Sequence, residues 1–127
     1  MLKMVNRTKG FTKEWHGEID PAQTQKAFTV PDGMVYVVKS FSWTIYGGNG
    51  SDEFKLWFGT DDNKNYAMTD GGLPGIARFG CVNSDIPLYP GDSFAGYALQ
   101  YGVGTSKFTW SVIWKEIPIG KNVITHG

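Results

Sequence analysis

The sequence is short of several things. It holds one cysteine, Cys81, among 127 residues. No intrachain disulfide can form, so a disulfide-built secreted scaffold is excluded and a cytosolic folding site fits. Charge of either sign is not in excess, with 12 Lys plus Arg against 12 Asp plus Glu. That disfavours nucleic acid as a partner held through bulk electrostatics, and it leaves little self-repulsion between copies. No apolar run approaches the roughly 18 residues of a membrane span, so no membrane partner is expected. The opening "MLKMVNRTKG" has charges but no apolar stretch of the signal-peptide kind. The sequons at Asn6 and Asn49 are therefore read as chance. Paired cysteines, G-x-S-x-G and H-E-x-x-H are all missing.

What is present is aromatic and glycine-rich: five Trp, six Tyr, eight Phe and 17 Gly. That mixture suits strands joined by tight turns. The chain fits one domain, and at this length folding buries about two-thirds of the unfolded surface. The stretch "TVPDGMVYVVKSFSWTIYGG" (29–48) opens on a Pro-Asp-Gly turn and closes on Gly-Gly. Alternation assigns Val35, Val37, Phe41, Trp43 and Ile45 to one face. Lys39 interrupts that face, so a bulge and a bend are expected there.

Further strands follow. "EFKLWFGT" places Phe54, Leu56 and Phe58 together, "IARFGCV" (76–82) is short and apolar, and a Pro-Gly-Asp turn feeds a strand from Phe94. "SKFTWSVIWKEI" alternates most cleanly, with Phe108, Trp110, Val112 and Trp114 on one side. No segment has a helical period. The expected fold is all-β: a single antiparallel β-sandwich, jelly-roll-like, over residues 25–117. Residues 1–24 read as an extended N-terminal arm and 118–127 as a tail. Trp43 and Trp110 are expected to be buried on facing sheets.

Candidate chemistry is thin. His16 and His126 are the two histidines, both in polar terminal segments. Glu14, Glu18 and Asp20 lie near His16, yet catalysis needs a rigid frame. The chain is read as not an enzyme, with no catalytic, cofactor-binding or metal-binding residue. "GTDDNKNYAMTDGG" (59–72) begins like a calcium loop at Asp61, Asn63 and Asn65. Tyr66 and Gly72 then stand where a turn Gly and a bidentate Glu belong, so a solvated polar loop is expected.

Protein binding is the better-supported chemistry. Lys3, Arg7, Lys9 and Lys13 are the only charges through residue 13. Phe11 and Trp15 sit among and just beyond them as apolar anchors. An arm that docks on a neighbouring copy or another protein would use this set. Trp57 alternates with Glu53, Lys55 and Gly59, so it should point away from the core and mark an interface. Exposed aromatics would also suit a surface glycan.

The motifs "FTVPDGMVYVVKSFSW" and "YPGDSF", with a closing aromatic strand, resemble small β-sandwich accessory proteins of tailed bacteriophage virions. The resemblance covers about residues 28–115, as a "VPxGkxyvVKS" opening and a late "PGD" turn. Met34 stands where Lys or Thr is more usual, and the arm lies outside the pattern. The shared positions are structural, so no binding residues carry over. The resemblance implies a capsid decoration protein, with other virion proteins, the major capsid protein first, as partners. It also implies a homo-oligomer, no cofactor, and a place in the virion assembled in the host cytoplasm. The rival it implies is a receptor- or carbohydrate-binding module of a tail fibre or spike.

Overall fold

The computed structural model describes residues 6–47, 51–71, 77–101 and 106–119. Among these residues there are eight strands and no helix: β1 (Arg7–His16), β2 (Ile19–Thr29), β3 (Met34–Tyr46), β4 (Glu53–Thr60), β5 (Asn63–Gly71), β6 (Ala77–Leu88), β7 (Ser93–Gln100) and β8 (Lys107–Pro118). One sheet runs β1-β8-β3-β6 and the other β2-β7-β4-β5, with every pairing antiparallel. The chain changes sheet at each step except the β4–β5 hairpin. Two four-stranded sheets wound in this order make a jelly roll.

The two expected turns are where the sequence puts them. Gly33 has φ 81°, and Gly91 has φ 93°. Pro90 and Gly91 occupy the centre of a turn closed by Asp92 N–H donating to Tyr89 O at 2.9 Å. A proline followed by a glycine with positive φ suits a type II turn. The core lies between the sheets. Phe108, Trp110, Val112 and Trp114 from β8 meet Phe54, Leu56, Phe94 and Ala98 from β4 and β7, all at 5% exposure or less.

Lys39 is a bulge in both ladders of β3, where the register shifts between Val38 and Ser40. The extra residue reverses which side chains face inward. The core face is therefore Tyr36 and Val38 before the bulge, then Phe41 and Ile45 after it. Val35 and Val37 do not join Phe41 as the alternation implied. Trp43 and Trp110 also differ from expectation. They are cross-strand partners in the same sheet, not on facing sheets, and Trp43 is only half-buried.

The largest departure is at the N-terminus. Residues expected as an arm form two strands of the sandwich. β1 pairs with β8 without a break from Arg7–Glu116 to His16–Lys107, and β2 pairs with β7. The boundary expected at residue 25 falls inside β2. Phe11 packs 5.4 Å from Trp110, and Trp15 stacks 5.7 Å from Phe108. Trp15 Nε1–H also donates to Gln23 Oε1 at 3.1 Å, joining the two sheets at this side. Both strands are edges. One ladder and one wet face suffice for an edge, and a composition that polar reads as an arm. Of the expected tail, Pro118 ends β8 and Ile119 N–H donates to Gly33 O at 2.8 Å; 120–127, with His126, lie outside the described residues.

Candidate binding groove

On the face of the second sheet that turns away from the core, β4 carries Glu53, Lys55 and Trp57. In register, Trp57 lies beside Ala95 of β7 and Tyr66 of β5, and Lys55 lies beside Tyr97. The β4–β5 register shifts between Leu56 and Trp57, so Leu56 meets Met68 while Trp57 meets Tyr66. Ala67 is the residue left over. It packs with Met68 on the core side, and the shift delivers Tyr66 to the outer face beside the indole. Ala95 opposite is small enough to leave room for the ring.

Lys55, Trp57, Tyr66 and Tyr97, with Thr24 and Lys64, line a groove of about 180 Å³. Its rings are occupied by ammonium groups. Lys64 Nζ sits 5.2 Å from the Trp57 ring centre. Lys55 Nζ lies between two tyrosines, 5.4 Å from Tyr66 and 5.3 Å from Tyr97. Each such contact is worth about 0.5–1 kcal/mol near the surface. Glu53 lies 4.0 Å from Lys55 and partly offsets its charge. Burial raises the Tyr97 phenol, helped by the Glu53 carboxylate and by Tyr101 and Tyr66. Tyr97 therefore holds its proton at neutral pH and can donate. The groove offers cations, hydroxyls and ring faces.

The sequence-expected residues fall into three groups. Trp57 does point away from the core, but it is 2% exposed beneath its neighbours, so it is no free anchor. Phe11 and Trp15 are core-side contacts of β1, which removes them as docking anchors. Arg7, Lys9 and Lys13 share that same inward-turned face at the open edge, and Lys13 Nζ lies 5.5 Å over Trp15. Lys3 lies outside the described residues. The groove residues missed by sequence reasoning are Lys55, Lys64, Tyr66, Tyr97 and Thr24. Lys55–Trp57 and Lys64–Tyr66 each show as an alternate pair, but only the register puts the pairs together.

Other candidates resolve into ordinary structure. His16 Nε2 meets Glu14 Oε2 at 2.6 Å on an exposed sheet face. Glu14 also accepts from Thr109 Oγ1–H at 3.0 Å and pairs with Lys107 at 3.1 Å. His16, then Lys107 and Thr109, hold the Glu14 carboxyl at about 2. The polar segment 59–72 is mostly the β4–β5 hairpin and not a loop: Thr60 pairs with Asn63 across Asp61-Asp62. Asp61 is paired with Lys26 at 3.2 Å, and Asn65 Nδ2–H donates to Phe58 O at 3.3 Å. Among the described residues no three His, Cys, Asp or Glu side chains converge.

No family model and no curated protein matches the chain. Solved structures do match, at low sequence identity. A chain of the cyanophage Pam1 capsid asymmetric unit is 10% identical and superposes with a TM-score of 0.51, over 89% of this chain and 84% of that one. The shared property is the fold. Weaker likenesses are to a disulfide-linked pilus protein of Bacillus endospore appendages (8% identity, 93% of this chain and 92% of that one, TM-score 0.40) and to infectious bursal disease virus, Gx strain (9%, 91% and 33%, TM-score 0.45). The chain spans about a third of the length of the latter.

Proposed function

We propose that this chain is a structural protein of a virus particle, a capsid decoration protein of a tailed phage, and not an enzyme. The observation that carries the reading is the jelly roll shared along nearly the whole of both chains with a component of the cyanophage Pam1 capsid. Supporting it, the one described histidine sits in an exposed pair on an open sheet face, and the groove on the second sheet offers stacking and charge. As a decoration protein it binds the assembled shell and not free subunits. The assembly then gains RT ln(1 + [L]/Kd) per site, about 2.7 kcal/mol at a hundredfold excess over Kd. Lys55 and Lys64 are the cations the groove would offer to an acidic surface of such a partner.

The test mixes the purified chain with shells that lack it and with free capsid subunits, followed by sedimentation. Co-sedimentation with shells alone, and a higher shell melting temperature, are expected. Absence of binding to shells, or equal binding to free subunits, refutes the reading.

A second reading has its own observation. Trp57, Tyr66 and Tyr97 around a groove resemble a stacking surface for a sugar ring. It makes the chain a receptor- or carbohydrate-binding module. Trp57 lies under Lys64, so a saccharide must displace that lysine. Saturable perturbation of groove resonances by oligosaccharides, abolished in Tyr66→Ala, would favour this reading over the first.

A further inference from the structure

A jelly roll has four edge strands, and here they are β1 and β6 in one sheet, β2 and β5 in the other. Open edges invite pairing with another chain unless something blocks them. Three of the four are blocked. β1 turns Arg7, Lys9 and Lys13 toward the inside of its edge. β2 carries Pro21 and two register shifts. β5 has a shift of register and presents Lys64.

The stretch Phe79–Asn83 of β6 has none of these devices. From Ala77 to Asn83 the strand runs against β3 with no shift of register. Phe79, Gly80, Cys81, Val82 and Asn83 carry no charge and no proline. Phe79 is 83% exposed, Val82 36%, and Cys81 is exposed. The charges on either side are engaged within the chain. Arg78 holds Asp70 at 3.0 Å and Gly71 O at 2.7 Å, and Asp85 pairs with Lys39. The inner side of this edge is apolar as well. Trp43 lies across Gly80, so close that a Cβ on Gly80 would fall under 3.0 Å from the indole, and its ring stacks 6.2 Å from Phe41.

We propose that two copies join β6 to β6, antiparallel across a two-fold axis within residues 79–83, merging two four-stranded sheets into one. Two features make a second copy the occupant. An antiparallel strand across a two-fold offers itself the donors and acceptors it needs. The segment is uncharged on a chain of zero net charge, so like meets like without repulsion. Phe79 of one copy then covers the outer face of the other near Cys81, and Val82 with Trp43 closes the inner side. The inference is independent of the virion reading, because it concerns the isolated chain.

The experiment is sedimentation velocity of the full chain over a concentration series, with Val82→Lys and Phe79→Lys as variants. Both positions are exposed, so the variants should keep the wild-type circular dichroism and, when dilute, its melting temperature. The wild type should pass from monomer to dimer, and each variant should weaken association at least tenfold. A short bifunctional maleimide should join Cys81 to Cys81 in the wild type at twice the chain mass and fail in Val82→Lys. A wild type that is monomeric at every soluble concentration overturns the proposal. So does a dimer that persists in both lysine variants. Growth into open filaments overturns the two-fold, since it means β6 pairs with a different edge.

Discussion

Replacing Gly96 with alanine adds one methyl group to β7 where a Cβ would lie under 3.0 Å from three indole atoms of Trp110. Gly80 on β6 meets the same obstacle from Trp43. The two indoles differ in their freedom to move. Trp110 is fully buried, with Phe11 at 5.4 Å and Phe94 at 6.0 Å around it. The clash falls on Nε1, Cε2 and Cδ1, largely the pyrrole ring nearest its backbone. Trp43 is half-buried on β3 beside the edge strand β6, and the clash falls largely on Cζ2 and Cη2, at the far end of the ring. Overpacking a closed core costs about 1–3 kcal/mol, while losing a glycine from the unfolded ensemble returns about 0.4–1 kcal/mol. Gly96→Ala should therefore destabilise by a net of about 1–2 kcal/mol, and Gly80→Ala by less than about 0.5 kcal/mol once its indole swings aside. Urea unfolding at equal m-value reads both numbers. In a double-mutant cycle, Trp110→Phe should recover about 1 kcal/mol of the Gly96→Ala loss. Equal costs at the two glycines, or no coupling to Trp110, would refute the packing argument.

Deleting residues 1–17 should abolish cooperative unfolding, because it strips β1 from β8 and uncovers Phe108 and Trp110; a folded truncate by near-UV circular dichroism would restore the arm reading. Trp57→Ala should cost about 3 kcal/mol in urea, while Lys64→Ala should cost under about 1 kcal/mol, since the lysine covers the indole without supporting the sheet. Glu14 has a folded pKa of about 2 against an ordinary 4.5. A depressed carboxyl stabilises above its unfolded pKa and loses that contribution as pH falls through the folded one. Glu14→Gln should thus flatten the melting temperature between pH 4.5 and 2 and leave the slope above pH 5 alone.

Legibility in the sequence followed the number of constraints on each strand. β8 is central, unbulged and apolar on one face, and its four inward residues were readable from alternation. In β3 the bulge could be placed at Lys39, but Val35, Tyr36, Val37 and Val38 are all apolar, so only pairing decides which of them face in. β1 and β2 were hidden because edge strands tolerate Lys9 and Lys13 on an inward face and Pro21 within the strand, at positions a central strand would not. The groove was half visible. The direction of Trp57 follows from local alternation, whereas its cover comes from Lys64, placed by a register shift in another strand.

The pairing of β1 with β8 has a kinetic meaning. Thr8 and Lys115 are neighbours in space yet lie far apart along the chain. Apart from the β4–β5 hairpin, each ladder joins strands that do not follow one another in sequence. Chains dominated by such distant pairings fold in milliseconds to seconds, since loop entropy is lost before the contacts that compensate it form. During synthesis the first strand of the sandwich must wait for the last. Until residues 107–118 emerge from the ribosome, β1 and β3 both lack the strand that belongs between them, and the growing chain exposes Trp15, Phe41 and Ile45 with nothing to cover them. A nascent chain of this topology should need protection from aggregation while it waits, and its folding should begin only once β8 is free of the exit tunnel.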